Sequence, residues 1–262
     1  MIKITIITCT YQAAHELPRT VESVLCQTHA DVEHIILDGL STDGTVEIAR
    51  DYERHSAAAD NGHEVIVVSE KDRGLYDAMN KGIQKATGDY LVFLNAGDVF
   101  PSPDTLELVA SSVGDGEELP GVLYGNTDIV DDEGHFLRHR RLQPPERLTW
   151  RSFRQGMLVC HQAFYARTDL AKANPYNMQY RFSADVDWCI RVMKAAERQG
   201  LPLRNVEAVV VNYLDGGMTV KNHRASLRER FRLMRHHYGL LPTLAMHAWF
   251  VLRSARAATS RG

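Results

Sequence analysis

The chain has 262 residues, of which 44% are hydrophobic and 24% are charged, and its formal net charge is −3. This size and apolar content predict one globular domain with appendages and exclude a disordered or fibrous protein. The small negative charge argues against non-specific binding of nucleic acid. Cys9, Cys26, Cys160 and Cys189 form no CxxC pair, which fits a reduced compartment and argues against a structural zinc site.

The first hundred residues alternate short β-branched runs with longer helical patterns. This alternation is typical of a parallel sheet with helices on its faces, so it predicts an α/β fold. Strands are expected near Ile4–Thr8, Val32–Leu37, Glu64–Val68 and Tyr90–Leu94, and helices at Pro18–Cys26, after Thr45 and at Asp77–Lys85.

The pattern is looser over residues 101–220, where mixed or antiparallel strands are expected. We therefore predict one folded domain at 1–220, with a regular α/β half at 1–100 and a mixed half at 101–220. The expected elements are a helix at Pro103–Val113, a strand at Gly121–Val130 with a partner near Phe136, a strand after Cys160, a helix at Val186–Arg198 and a strand at Val206–Asn212.

Residues 221–262 form a basic C-terminal segment that contains eight arginines and a single acid, Glu229. Leu227, Phe231, Met234 and Tyr238 recur at helical spacing, which predicts a basic amphipathic helix followed by an apolar one. Such helices lie on anionic membrane surfaces, although packing on the domain or on a second subunit is the alternative. No apolar run is long enough to span a bilayer. The N-terminus has no signal-peptide pattern, so we expect a cytoplasmic protein that binds the inner face of the membrane.

Several strands end in short polar residues, which the carboxyl edge of a parallel sheet presents to ligands. The first strand ends in Thr8, Thr10 and Tyr11, and the second ends in Asp38. Asp38 is a candidate acceptor for a base N–H, whereas Asp43 precedes a helical segment and is expected to cap it. These strand ends predict a cleft for a nucleoside.

The fourth strand leads into Asn95-Ala96-Gly97-Asp98. A carboxylate at this edge is suited to hold Mg²⁺ or Mn²⁺ against a diphosphate, because hard cations prefer oxygen ligands. Helix capping is the alternative role for Asp98.

Other nucleotide-binding and hydrolytic signatures are absent. The sequence contains no GxGxxG after the first strand, no GxxxxGK[ST], no HExxH and no GxSxG. This excludes the simplest dehydrogenase, P-loop, metalloprotease and α/β-hydrolase interpretations.

Five motifs in order resemble the family 2 glycosyltransferases of the GT-A fold. They are Thr8–Tyr11, Asp38–Thr45, Asp72–Gly82, Leu94–Asp98 and Ser183–Asp187, and together they cover about the first 220 residues. The resemblance implies that 1–220 is a GT-A catalytic domain, with a nucleotide-sugar-binding half at 1–100 and an acceptor-side half at 101–220. The resemblance is strongest to bacterial enzymes of exopolysaccharide, O-antigen or capsule synthesis. It implies an inverting transfer, a nucleotide-diphosphate sugar donor, with a UDP-sugar favoured, a divalent cation, and a saccharide or lipid-linked saccharide acceptor. An oligomer is compatible with the sequence.

The resemblance also assigns roles to individual residues. It makes Asp38 the base-binding carboxylate, Asp98 the metal ligand and Asp185 the catalytic base. The sequence departs from the commonest pattern at Asn95 and Gly97, where acidic residues are frequent, and this departure weakens the expected metal site. The other residues expected to bind the sugar nucleotide are Thr8, Thr10, Tyr11, Asp72, Asn80 and Asn95.

Asp185 also has a physical argument of its own. It opens a helix with an apolar stripe, and an inverting transfer needs one general base for the acceptor hydroxyl. Asp187 lies about 200° further round the helix, so it is expected to be structural. One alternative function is a regulatory module that binds a sugar nucleotide without turnover, and Asn95 and Gly97 favour it. A nucleotidyltransferase is a second alternative, but this sequence lacks the glycine-rich, basic loop that such an enzyme needs after its first strand.

Overall fold

The computed structural model describes residues 1–114, 116, 118–216 and 223–259, and its first half is a parallel sheet covered by helices on both faces. The strands pair in the order β3-β2-β1-β4, and all three pairings are parallel, as the alternation of strands and helices predicted. The strands are β1 (Ile4–Thr10), β2 (Val32–Asp38), β3 (His63–Ser69) and β4 (Tyr90–Phe93), and the helices are α1 (Leu17–Leu25), α2 (Thr45–Ala59) and α3 (Leu75–Lys85).

β2 is buried along its whole length because helices cover both of its faces. Its side chains alternate between two clusters. Ile35 packs in the large cluster with Met79 of α3, whereas Ile36 packs in the smaller cluster with Val21 of α1 and Tyr52 of α2. The helices therefore hold the sheet from opposite sides and leave its carboxyl edge as the place for a ligand.

The second half of the domain extends the sheet with antiparallel pairs. β7 joins β4 to β5, β6 pairs with the far end of β5, and β8 runs parallel to β5 along its other edge. The sequence predicted the mixed pairing, but it did not predict the short helix α5. The elements are α4 (Thr105–Ser111), β5 (Val122–Val130), β6 (Phe136–His139), β7 (Phe164–Arg167), α5 (Thr168–Ala173), α6 (Ala184–Arg198) and β8 (Leu203–Leu214), with 3₁₀ turns at Trp150–Gln155 and His161–Ala163.

Two helices, α7 (His223–Tyr238) and α8 (Leu240–Thr259), complete the described chain. α7 packs on the domain. Leu233 and Met234 are buried, while Tyr238 stacks on Trp150 with ring centroids 5.5 Å apart and donates a hydrogen bond to its carbonyl. The sequence left two packing partners open for this segment, its own domain and a second subunit. In the structure, α7 packs on its own domain.

α8 is more exposed than α7. Leu240, Leu241, Leu244 and Trp249 are each more than 40% exposed, and His247 contacts Phe231 of α7 edge to face. Within the described parts of the chain, no helix combines the length and apolar character that a bilayer crossing requires.

Candidate active site

Asp38 joins the carboxyl ends of three parallel strands. Its Oδ1 accepts hydrogen bonds from the hydroxyls of Thr10 in β1 and Ser41, and its Oδ2 accepts from the Ser41 N–H and from the hydroxyl of Ser69 at the end of β3. Only 2% of Asp38 is exposed. These four bonds use the lone pairs that a carboxylate offers, so the arrangement makes Asp38 a structural junction. It does not present the free base acceptor predicted from the sequence.

A small pocket beside Asp38 contains a freer carboxylate, Asp72 of the β3–α3 loop. The Asp72 Oδ1 accepts the Gly74 N–H at 2.7 Å, and no donor in the described residues bonds its Oδ2. That oxygen lies over Gly39, where an added Cβ would approach it to 2.7 Å and would stand 3.4 Å from the ring of Tyr11. Gly39 therefore lets Asp72 and the 69% exposed Tyr11 converge on one spot.

The remaining charges of this pocket favour neutral hydrogen-bond donors. Glu70 and Lys81 also line it, but Lys81 is paired with Glu70 at 3.1 Å and donates to the Lys71 carbonyl. Because the lysine is engaged, the pocket offers carboxylate oxygens rather than a free cation. Such a lining suits the N–H and O–H groups of a nucleoside better than its phosphates.

Thr8 and Asn80, both predicted to bind the nucleotide, hold the fold together in this structure. The buried Thr8 hydroxyl donates to the Leu94 carbonyl at 2.7 Å and lies 2.9 Å from Nε2 of His34. The Asn80 side-chain amide makes two hydrogen bonds with the backbone of Tyr176: its NH₂ group donates to the carbonyl, and its oxygen accepts the N–H. Both side chains support the walls of the cleft, and neither presents its polar group to a ligand.

Asp98 occupies the end of the β4 segment but is almost fully enclosed, with 3% exposed. Its Oδ1 accepts the Leu214 N–H of β8, and its Oδ2 accepts the Gln162 amide, each at 3.0 Å. Burial raises the pKa of Asp98 to about 7, with these hydrogen bonds opposing the rise. Asp98 therefore ties β8 and the 161–163 turn to β4, and it does not fit the predicted role of a cleft-facing metal ligand.

Gly97, one of the two departures from the commonest motif, has a backbone reason to be glycine. Its φ is +97°, and an added Cβ would lie 2.6 Å from a methyl group of Leu214. A carboxylate at this position would both strain the backbone and displace the end of β8. Asn95, the other departure, is partly exposed, and its carbonyl accepts the Asp98 N–H.

Asp185 lies in the first turn of α6 and is the accessible carboxylate in this part of the domain. Its side chain is 20% exposed, and its Oδ1 accepts the N–H of Val186 at 2.9 Å. Oδ2 lies 3.7 Å from Nδ1 of His161, too far for a hydrogen bond, so this oxygen is available to a substrate hydroxyl.

Tyr76 connects Asp185 to the pocket that contains Asp72. Burial raises the pKa of the Tyr76 hydroxyl, and the charge of the nearby Asp185 raises it further. The ring stacks on Tyr176 at 5.3 Å. Tyr76 lies four residues after Asp72. Its proximity to Asp185 therefore brings the N-terminus of α6 to the same edge of the sheet as Asp72. The sequence motif contained Tyr76, but nothing in its pattern indicated this contact.

The 161–163 turn lies between the two acids, because His161 approaches Asp185 while Gln162 bonds to Asp98. Burial lowers the pKa of His161, which keeps the imidazole neutral at neutral pH, although the Asp185 charge opposes the effect. Its Nε2 is buried and has no partner in the described structure. Gln162 was not predictable as a partner of Asp98, because a single glutamine before an apolar strand leaves no pattern in the sequence.

Asp187 is structural, as predicted. Its side chain is 2% exposed, its Oδ2 accepts Nε of Arg191 at 2.6 Å, and its Oδ1 lies 2.8 Å from Nε2 of His237 in α7. The pKa of Asp187 is lowered because these two partners outweigh the opposing effect of burial. Both oxygens are therefore engaged in an ionised buried pair, which leaves none for proton transfer from a substrate.

One group within the described ranges has ligand atoms close enough for a cation. Asp131, Glu133 and His135 bring one atom each within 4.8 Å of the others. They lie in the turn between β5 and β6, where the His135 N–H donates to Asp131. Hydrogen bonding within the turn accounts for their proximity, and Glu133 and His135 are exposed.

The sequence also suggests a cationic loop that folds over the diphosphate, at Asp215–Thr219 with Lys221, His223 and Arg224. Residues 217–222 lie outside the described residues, as do the side chains of His223 and Arg224. Asp43 lies within the described residues. It accepts the N–H groups of Ala14 and Thr45 and thereby joins the neighbouring loops.

Solved structures with the same fold bind sugar nucleotides. The chain superposes on *S. aureus* TarS 1–349 in complex with UDP-GlcNAc with a TM-score of 0.68 and 16% identity, covering 89% of this chain and 65% of that one. It also superposes on the mannosyltransferase PcManGT from *Pyrobaculum calidifontis* in complex with GDP-Man and Mn²⁺, with a TM-score of 0.62, 16% identity and coverage of 100% and 81%. The fold is therefore GT-A.

Sequence comparisons identify the family. Glycosyl transferase family 2 matches residues 5–172, more than half of the chain. A PGL/p-HBAD biosynthesis glycosyltransferase of *Mycobacterium bovis* is 35% identical over 214 residues, which cover 81% of this chain and 77% of the relative. The chain thus belongs to glycosyl transferase family 2 and is a glycosyltransferase of the GT-A fold.

Proposed function

We propose that the protein is an inverting glycosyltransferase in which Asp185 is the general base. The observation that carries this proposal is the difference among the acids of the site. Asp185 keeps a free, partly exposed oxygen, whereas Asp98 and Asp187 are enclosed and bonded on both oxygens. An inverting transfer needs one accessible base beside the donor, and Asp185 meets that requirement.

The donor is proposed to be a nucleotide-diphosphate sugar whose base occupies the pocket of Asp72 and Tyr11. The free Oδ2 of Asp72 suits a ring N–H at the pairing edge of a base, which uracil, thymine and guanine provide and cytosine does not. The exposed Tyr11 ring offers a face for stacking. UDP-sugars are the first donors to test, and the UDP-GlcNAc and GDP-Man complexes of the structural neighbours support this class.

In the proposed reaction an acceptor hydroxyl attacks the anomeric carbon from the face opposite the diphosphate. Asp185 takes the hydroxyl proton as the new C–O bond forms. The bond between the anomeric carbon and the phosphate oxygen breaks, and the nucleoside diphosphate leaves with its electron pair. Neutral His161 borders the base without donating a hydrogen bond to Oδ2, so that oxygen is free to accept the proton.

The cation requirement is a separate question, because Asp98 does not fit a metal ligand in this geometry. A hard cation needs an oxygen that faces the substrate, and the Asp98 oxygens are enclosed. The Mn²⁺ in the PcManGT complex supports a cation in the fold, and Mn²⁺ or Mg²⁺ is the cofactor to test. In this chain we assign Asp98 to holding Leu214 and Gln162 in place.

We further propose that the acceptor is a saccharide or lipid-linked saccharide of bacterial surface polysaccharide synthesis, presented at the inner face of the membrane. The exposed apolar residues of α8 and the exposed arginines of α7, Arg228, Arg232 and Arg235, support attachment to an anionic surface. The mycobacterial relative is named for PGL/p-HBAD biosynthesis, which is consistent with a role in cell-surface glycosylation.

Asp185→Asn is expected to lower kcat about 10²- to 10⁴-fold, the range of general-base catalysis. Asparagine keeps the oxygen that accepts the Val186 N–H, so the melting temperature and donor affinity should stay near wild type. Kinetics with the best nucleotide sugar, thermal melting and donor titration measure the three quantities. Wild-type turnover would contradict the assignment and make Asp187 the next residue to test.

Asp98→Ala is expected to lower the free energy of unfolding by about 1–3 kcal/mol for each buried donor left unpaired. Chelation of the wild type with EDTA should leave that free energy unchanged. Because the pKa of Asp98 is raised in the folded protein, its ionisation reduces stability as pH rises from about 4 to about 7. Asp98→Asn should remove this part of the pH dependence, measured by urea denaturation.

Two results together would contradict the structural role of Asp98. If Asp98→Ala were as stable as wild type, and if the mutation and EDTA weakened donor binding equally, Asp98 would be the metal ligand that the sequence predicted.

Truncation after Tyr238 should lower binding to vesicles of anionic phospholipid at low salt, since it removes the exposed apolar residues of α8. Donor affinity should be retained, because the pocket residues remain. Vesicle cosedimentation measures the first quantity, with zwitterionic vesicles as the control. Equal binding of both chains to anionic vesicles would instead support packing or oligomerisation.

A further inference from the structure

Glu229 of α7 binds three consecutive backbone N–H groups in the loop before α6. Its Oε2 accepts the N–H of Arg181, and its Oε1 accepts those of Phe182 and Ser183, each at 2.7 Å. Hydrogen bonds to a charged acceptor are stronger than neutral ones. Glu229, the one acid of the C-terminal segment, therefore fixes the backbone immediately before Asp185.

The Glu229 contact holds the N-cap residue of α6, which makes no side-chain capping bond of its own. Ser183 is the N-cap of α6, but its side chain makes no capping bond, and its buried hydroxyl has no partner in the described residues. The first N–H groups of a helix need an acceptor from elsewhere, and an anion is favoured at this end. The Glu229 carboxylate supplies that anion just before the helix, from an element that follows about 45 residues later in the sequence.

α7 also holds the other side of Asp185. The Asp187 Oδ1 lies 2.8 Å from Nε2 of His237, and the His237 Nδ1 lies 3.1 Å from Nζ of Lys194. Glu229 and His237 are eight residues apart, about 12 Å along the helix. α7 is thus attached to residues 181–183 before the base and to Asp187 after it.

We infer that α7 is a positioning element of the active site, with Glu229 as the positioning residue that sets the place and orientation of Asp185. The inference rests on the proposed role of Asp185 as the general base. Misplacement of a catalytic group by about 1 Å can reduce the rate about 10²-fold. Loss of the Glu229 contact should therefore affect the chemical step more than donor binding, because the pocket of Asp72 and Tyr11 is formed by other elements.

Glu229→Ala is expected to lower kcat about 10- to 100-fold while donor Kd stays within about twofold of wild type. Glu229→Gln keeps one carbonyl oxygen as an acceptor, so it should recover part of the lost rate. Glu47→Ala, which removes an exposed glutamate of α2, is the matched control and should behave as wild type. Hydrogen exchange of the backbone amides in 181–187 should accelerate in Glu229→Ala and less in Glu229→Gln.

The outcomes separate this inference from the proposed function. Faster amide exchange with an unchanged kcat in Glu229→Ala, while Asp185→Asn is inactive, would overturn the positioning role and keep the base. Full turnover of Asp185→Asn would exclude Asp185 as the general base, whatever the rate of amide exchange in Glu229→Ala. If Glu229→Ala does not fold, Glu229→Gln decides: a several-fold lower kcat with unchanged donor Kd supports positioning, and wild-type kcat overturns it.

Discussion

The attachment of the α6 N-terminus to the carboxyl edge of the sheet is the constraint on which the site depends. Glu229 of α7 binds the three amides before the helix, and Tyr76 of α3 lies near Asp185 in its first turn. These contacts come from elements far apart in the sequence. They bring Asp185, from the second half of the domain, to the same edge of the sheet as the pocket of Asp72.

Hydrogen-bond saturation divides the acids of the site into two groups. Asp38, Asp98 and Asp187 accept hydrogen bonds on both oxygens and are at most 3% exposed. Their hydrogen bonds therefore stabilise the packing of strands and helices in the folded domain. Asp72 and Asp185 each keep an oxygen without a strong donor, and they remain accessible. A substrate reaches an accessible oxygen more readily than an enclosed one, and this difference supports the proposed roles of Asp72 and Asp185.

The alternation of strands and helices, the parallel order of the first four strands and the clustering of their polar ends were all predictable, because they follow from local periodicity and from sheet geometry. Which carboxylate oxygens are free was not predictable. The Asp98 partners lie 64 and 116 residues away, and such contacts leave no local pattern. The apolar face of α7 was likewise only partly predicted: Leu227 is 45% exposed, while Leu233 is fully buried.

The stereochemistry of transfer tests the central claim most directly, because a single general base implies direct displacement at the anomeric carbon. Proton NMR of the first product formed from an α-linked UDP-sugar would report its anomeric configuration before any later equilibration. The account predicts a β-linked product, with the configuration inverted. An α-linked product would show retention and would contradict the role of Asp185 as the general base of a single displacement.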